Sequence, residues 1–277
     1  MSLYITSLNS GSNGNCYYIG NNTEAVLIDA GISCRETEKR MKRLGLSMST
    51  LKAIFVSHEH ADHINGIRVL SKKYQLPVYI TANTLRSAGK ILEKDMIRHF
   101  TASQAVNIGK LSIRAFPKFH DAIDPHSFMI SSNGINIGVL TDIGNCCDHV
   151  IKYFRECHAA FLEANYCENM LMNGNYPYVL KKRISSDTGH LSNDQALELF
   201  TKYRSVQLSH LILSHLSKNN NSPDLVDQLF RQQAGSTRII VASRYEETPL
   251  FHIENNNNNN QGIKDQIPPA QLQLSLF

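Results

Sequence analysis

The chain has no tryptophan, no CxxC pair among its six cysteines, no legible internal repeat, and no stretch approaching the roughly 20 consecutive apolar residues of a membrane-spanning helix. Its first residues, MSLYITSLNSGSNGN, carry neither a basic start nor a long apolar run, so no secretory leader is expected. These absences exclude a helical membrane protein and point to the cytoplasm. Cys16, Cys34, Cys146, Cys147, Cys157 and Cys167 lie in a chain of 277 residues, too long to need disulfide stapling, and reduced thiols are expected. Nor is there a strong excess of one charge. A net charge of +4 and a pI near 8.7 permit a polyanionic partner without requiring one.

What is present is enough apolar content, 42%, for one large core. Short β-branched and aromatic runs recur between turn residues: LYITSL, CYYIG, AVLIDAG, AIFVSH, PVYIT, LSIRAF, HSFMI, INIGVLTD, AAFLEA, LILSH and RIIVAS. Helix-length patterns separate several of them, over 35–44, 64–74, 83–93, 192–203 and 223–233, the last two with Ser192 and Ser222 as N-caps. Mixed in this order, they predict an α/β layered domain. From residue 255 the composition turns to a run of Asn followed by Gly262, Pro268 and Pro269, which cannot build a packed element. The sequence therefore divides into a folded domain over 1–253, a linker over 254–270 and a short apolar peptide over 271–277.

The densest chemistry lies in SHEHADH, where His58, His60, Asp62 and His63 follow the apolar run AIFV. Four N/O donors within six residues, on the loop beyond a buried strand, suit a pair of metal ions about 3.5 Å apart. Two ions need further ligands, and later apolar runs also lead into such donors: LSIRAFPKF into His120, INIGVLT into Asp142 and LILS into His215. His126 is an alternative to His120, ranked second because it precedes a strand. An all His/Asp set suits zinc, manganese or iron and does not choose among them.

HxHxDH followed by a His, an Asp and a final His at strand ends resembles the metallo-β-lactamase fold, an αββα sandwich with its site on the loops at one edge. The likeness runs to about Ile253 and is closer to the WalJ/YycJ-like exonuclease branch, through SGSNGNC, VLIDAG, SHEHADHINGI, HDAIDP, LTDIG, LEAN, YPYVLKKRISSDTGHLSN and LSHLSKNNNSP. The resemblance implies that one ion takes His58, His60 and His120, that the other takes Asp62, His63 and His215, and that Asp142 bridges them. Asp29 of LIDAG matches an aspartate that orients ligands from behind; a strand-end turn former is the competing role. A carboxylate at Asp142 points to phosphodiesterases and thioesterases and away from antibiotic hydrolysis.

Two-metal chemistry of this kind lets a water attack in line near neutral pH, with Asp62 orienting it. His190 in DTGHLSN is the candidate proton donor to the leaving group, because related RNA-processing enzymes place the histidine of a similar segment beside the scissile phosphate. Lys181 and Arg183, with Asn165, are candidate substrate contacts, and Tyr166, Tyr176 and Tyr178 can stack on bases. One departure stands out: the branch usually reads Asn-His-Asp after its glutamate, whereas Glu163, Ala164 and Asn165 are followed by Tyr166 and Cys167.

The last five residues, Gln273, Leu274, Ser275, Leu276 and Phe277, resemble the pentapeptide with which bacterial repair and replication proteins bind the DNA sliding clamp. The same alternation also suits an edge strand folding back on its own domain. The sequence thus leads us to expect a two-metal phosphodiesterase acting on DNA, a 5′ to 3′ exonuclease of repair or replication tethered to the clamp. An RNA-processing nuclease, a small-molecule thioester hydrolase of glyoxalase type and a non-enzymatic clamp adaptor are the alternatives.

Overall fold

The computed structural model describes residues 2–89 and 92–255, and the apolar runs become two facing sheets of seven strands each among those residues. In chain order, β1 (Leu3–Asn9), β2 (Cys16–Gly20), β3 (Ala25–Ile28), β4 (Leu51–Phe55), β5 (Val78–Tyr79) and β6 (Ile97–Arg98) build the first sheet side by side. The second is built by β7 (Ala105–Ile108), β8 (Leu111–Pro117), β9 (His126–Ser132), β10 (Ile135–Leu140), β11 (Ala159–Glu163), β12 (His210–Ser214) and β13 (Arg238–Val241). The chain then returns as β14 (Phe251–Ile253) beside β1. The 271–277 peptide and the linker beyond residue 255 lie outside the described residues.

Helices cover both outer faces. On the first sheet sit α1 (Cys34–Arg43) and α3 (Ile67–Tyr74), preceded by the single turn α2 (Ala61–Ile64) and followed by α4 (Ala82–Ala88). On the second sit α5 (Asp148–Phe154), α8 (Asn193–Tyr203) and α9 (Pro223–Arg231), while α6 (Glu168–Asn173) and α7 (Tyr178–Ile184) form a two-helix insertion after β11. The central core lies between the sheets, where Tyr17 meets Phe161 with ring centroids 4.9 Å apart and Phe55 meets Phe128 edge-on at 5.9 Å. Each such ring withdrawn from water stabilises the sandwich by roughly 1.5–3 kcal/mol. Because strands such as β3 and β11 are covered on one face by this core and on the other by helices, every one of their residues is buried. That is why AVLI and AAFLE read as continuous apolar runs instead of alternating ones.

Strand direction positions the site. β3 and β4 run parallel, as do β10, β11 and β12, so their C-terminal ends come out at one edge of the sandwich. β8 joins them, being antiparallel to β9, which is antiparallel to β10.

Several predicted elements change shape. The 64–74 helix is broken at Gly66, the N-cap of α3, whose amide donates to Ala30 O and where a Cβ would stand 1.9 Å from Ile32 O. The predicted 83–93 helix stops at Ala88 before Gly89, whose φ is +76°. Ser192 caps α8 through a full capping box with Gln195, whereas Ser222 occupies the N-cap of α9 without a side-chain bond. His120 stands three residues beyond the end of β8 instead of at it.

Candidate metal centre

Three of the predicted site residues need a backbone that most side chains avoid. Asp29 directly after β3, Asp142 just beyond β10 and His215 directly after β12 have φ of 60°, 55° and 56°. Left-handed backbone at these strand ends turns each side chain from the strand direction into the space between the sheets. His215 is pinned further by its amide, which donates to Ser10 Oγ at 2.7 Å and so ties the end of β12 to the end of β1.

His58, His60 and His120 each bring a ring nitrogen within 4.8 Å of the others, and a carboxylate oxygen of Asp62 meets ring nitrogens of His63 and His215 within the same distance. Asp142 reaches both sides, meeting His58 and His63 in one such group and Glu163, His190 and His215 in another. His126 is not brought in: its Nδ1 bonds to Asp124 O at 2.9 Å and its ring packs edge-on against Phe100.

Four of these rings are held in the same way. Nδ1 of His58 is 2.8 Å from Ser57 Oγ, that of His63 is 2.7 Å from Asp29 Oδ2, that of His120 is 3.0 Å from Gly189 O and that of His215 is 3.0 Å from Glu163 Oε1. With its Nδ1–H spent on an acceptor behind it, each ring turns Nε2 toward the cluster. His60 is the exception, with Nδ1 inward, 3.1 Å from His58 Nε2. Asp29 is buried and accepts from the Ser57 amide at 2.8 Å and the Ser57 hydroxyl at 2.7 Å, which orients His58 and His63 together. Asn15 Nδ2 donates to Asp62 Oδ2 at 3.1 Å. Gly31 lets that turn close, since a Cβ there would lie 1.6 Å from Asp62 O.

The electrostatics are those of a cation site. Burial opposes charge throughout, yet Asp142, Asp29 and Asp62 outweigh it and raise His63 well above the ordinary imidazole range. At His215 burial is likewise overcome by Asp142, Asp62 and Glu163, and its pKa rises to about 10. His58 is driven well down by burial, His63 and Lys118, and His120 falls to about 4 chiefly through burial. Asp142 lies well below the carboxylate range despite burial, because His215 and His63 face it. Two buried atoms of this cluster nevertheless have no hydrogen bond among the described residues, Asp142 Oδ2 and His215 Nε2. His63 Nε2 is 3.3 Å from the first and Asp62 Oδ2 3.5 Å from the second, close enough to attract but not placed to bond. Unpaired ligand atoms of this kind, in a cluster whose imidazoles are already oriented from behind, fit divalent cations, which would take the place of the His215 proton.

Other predicted residues fall around this cluster. His190 Nδ1 lies 2.7 Å from Glu163 Oε1, its ring between those of His120 and His215. Asn165 lines a cavity of about 210 Å³ beside His190 and His215 but donates to His215 O at 2.7 Å, bracing a histidine. Arg183 pairs with Asp121 through Nε and lines the cavity, whereas Lys181, on exposed α7, donates to Met172 O at 2.7 Å away from the donors. Tyr166 is buried and bridges to Ser192, and Cys167 is the N-cap of α6, so neither offers the polar contact of the family His-Asp pair. Sequence reasoning left Glu163 out of the site, although it too ends an apolar run. It is the buried hub of the cluster, accepting from the amides of Ile143 at 2.7 Å and Leu191 at 3.2 Å and meeting both His190 and His215. The buried Lys118, whose ammonium donates to Thr141 O at 2.6 Å beside Asp142, carried no sequence signal.

Residues 24–216 match the beta-lactamase superfamily domain. The chain is 33% identical over 249 residues to exodeoxyribonuclease YycJ of Bacillus anthracis, covering 89% of this chain and 94% of that one. It is 30% identical over 260 residues to exodeoxyribonuclease WalJ of Streptococcus pneumoniae, covering 89% and 96%. In fold it is similar to the metallo-β-lactamase fold protein YhfI from Bacillus subtilis, with a TM-score of 0.70 at 15% identity over 91% of this chain and 100% of that one. Since the domain match and both relatives span most of the sequence, the chain belongs to the β-lactamase superfamily, in the group that holds YycJ and WalJ, and it is a metal-dependent hydrolase of the metallo-β-lactamase fold.

Proposed function

We propose that this hydrolase is a DNA phosphodiesterase, a 5′ to 3′ exonuclease of repair or replication working in the cytoplasm with two zinc or manganese ions. One observation carries the two-ion reading: Asp142, whose buried Oδ2 has no hydrogen bond, lies within ligand reach of His58 from one donor triplet and of His63 and His215 from the other. DNA as substrate is supported by the relatives, both exodeoxyribonucleases by name, and by the basic last turn of α7. His58, His60 and His120 would hold one ion, Asp62, His63 and His215 the other, with Asp142 between them. When bound, such a pair acidifies a water to near neutral pH and places positive charge against the scissile phosphate.

The protein's own groups supply the rest. Asp62 orients the attacking water. His190, its Nδ1 held by Glu163, keeps Nε2 without a partner among the described residues, and this nitrogen hands a proton to the departing oxygen. Arg183 contacts the substrate phosphate, with Lys181 and Asn165 as weaker candidates. The folded unit is the 1–253 domain, and the QLSLF peptide beyond the 254–270 linker binds the sliding clamp, with Leu274, Leu276 and Phe277 in apolar pockets and Gln273 and Ser275 at their rim.

Cleavage of end-labelled single- and double-stranded DNA with Mn²⁺ or Zn²⁺ tests the reading, beside an Asp62→Ala control. Stepwise shortening from one end, absent in the control, is expected and gives the polarity. Intact DNA with metal demonstrably bound overturns it.

A further inference from the structure

Asp121 is a carboxylate beside the metal centre that belongs to none of its donor groups. It follows His120 in the chain and lines the same cavity as His190 and Arg183, and its two oxygens have different neighbours. Oδ1 is 3.4 Å from His120 Nε2 and 4.0 Å from His60 Nε2, while Oδ2 accepts a hydrogen bond from Arg183 Nε on α7. A negative group beside a site for DNA repels phosphate, so its presence there calls for a compensating effect. Net charge does not supply one, because the charges of Asp121 and Arg183 cancel. What the pair can add is orientation.

Arg183 needs it. None of the side chains of α7 is buried, and that of Arg183 is 60% exposed, so packing does not fix the guanidinium. Of the three cations in the last turn of α7, Lys181 is turned to Met172 O, and Arg183 is the one that lines the cavity. Asp121 engages Nε alone, and Nη1 and Nη2 of Arg183 have no partner among the described residues. A guanidinium gripped by Nε still offers its two Nη groups as a planar fork, the geometry that takes two phosphate oxygens at once. The grip itself is firm. Phe119 O accepts from the Gly144 amide at 2.7 Å and Glu59 Oε1 from the Ile123 amide at 2.9 Å, so the loop is tied down on either side of Asp121. We infer that Asp121 is a positioning residue, which holds Arg183 by Nε so that its Nη pair meets a DNA phosphate beside the metal centre as a preset fork. The inference rests on the reading of Arg183 as a phosphate contact and adds to it what sets the geometry of that contact.

Steady-state degradation of end-labelled DNA by the metal-loaded protein tests this. By charge alone Asp121→Ala, which leaves the site one unit more positive, would lower KM. Positioning predicts the opposite sign: KM is expected to rise roughly 2- to 12-fold, the effect of having to order one long side chain on binding, with a far smaller change in kcat. Arg183→Lys keeps the charge but has a single nitrogen to share between Asp121 and phosphate, and should raise KM likewise. Arg183→Ala should raise it roughly 10- to 150-fold, and adding Asp121→Ala to that variant should raise it no further. Asp121→Ala that lowers KM or leaves it unchanged would overturn the inference. So would a loss of metal affinity in a chelator titration of that variant, which would make Asp121 a support of His60 and His120 instead. Arg183→Ala with the KM of wild type while DNA is still degraded would remove Arg183 as a phosphate contact and leave the nuclease standing. Wild type that degrades no DNA with metal bound would remove the DNA reading and this inference with it.

Discussion

At the scale of single residues, the centre is organised from behind. Asp29, Ser57, Gly189 O and Glu163 fix four imidazoles before any ion arrives, so little ordering remains to oppose metal binding. Glu163 does this for His190 and His215 at once. Glu163→Gln, which keeps the shape but loses the charge, is expected to lower metal affinity or turnover by about 10- to 100-fold, measured by competitive chelator titration beside steady-state rates. The raised pKa values of His63 and His215, the latter to about 10, mean that both rings carry a proton at neutral pH in the metal-free protein. Ions must displace these protons, so apparent affinity rises as pH climbs toward 10 and falls as it drops. Calorimetry in buffers of different ionisation enthalpy should show proton release on metal uptake; heats independent of the buffer would contradict it.

At the scale of elements, the close approach of α3 to the turn after β3 sets where Asp29 stands. Gly66→Ala puts a methyl group against Ile32 O and is expected to cost about 1–3 kcal/mol, read as a lower denaturation midpoint with weaker metal binding. A second consequence lies at the far end of the β12–β13 pair, where His210 faces Arg238 across the ladder. Burial, then Arg238, depresses His210 from 6.5 to about 4. Between those values the unfolded chain binds the proton that the folded chain refuses. Stability therefore falls as pH drops from about 6.5 toward 4. His210→Gln should flatten that dependence by up to one proton, seen in urea midpoints across the range. The helices explain which elements were legible: α1 and α8 announce themselves by caps and apolar spacing, whereas α5, α6 and α7 are six or seven residues long, too short for periodicity to separate them from loop.

At the scale of the whole molecule, the metal centre sits where two sheets meet, so its ions should act as a cross-brace. His58 and His63 come from the first sheet's loops, and His120, Asp142 and His215 from the second's. Saturating metal at about 1,000 times its Kd adds roughly 4 kcal/mol, and chelation should lower the melting temperature of wild type but hardly that of Asp142→Ala. Because β14 closes the first sheet at Ile253, a chain ending at residue 255 should melt as the full chain does and lose only capture of the purified clamp, if the 1–253 domain and the clamp peptide are as proposed.

The sequence by itself determined the donors and the layers. SHEHADH, and the later polar residues placed after apolar runs, are local patterns, and buried parallel strands force such patterns because only their ends can carry polar side chains to the surface. Only the tertiary structure placed Glu163 and Lys118 beneath the donors and packed His126 against Phe100, away from them. Those facts depend on strand order, on left-handed turns at Asp29, Asp142 and His215, and on contacts between residues up to 205 positions apart, as between Ser10 and His215. Periodicity reports which face of an element is buried; which faces meet is set by packing, and one chain position says nothing of its distant neighbour until the sheets have closed.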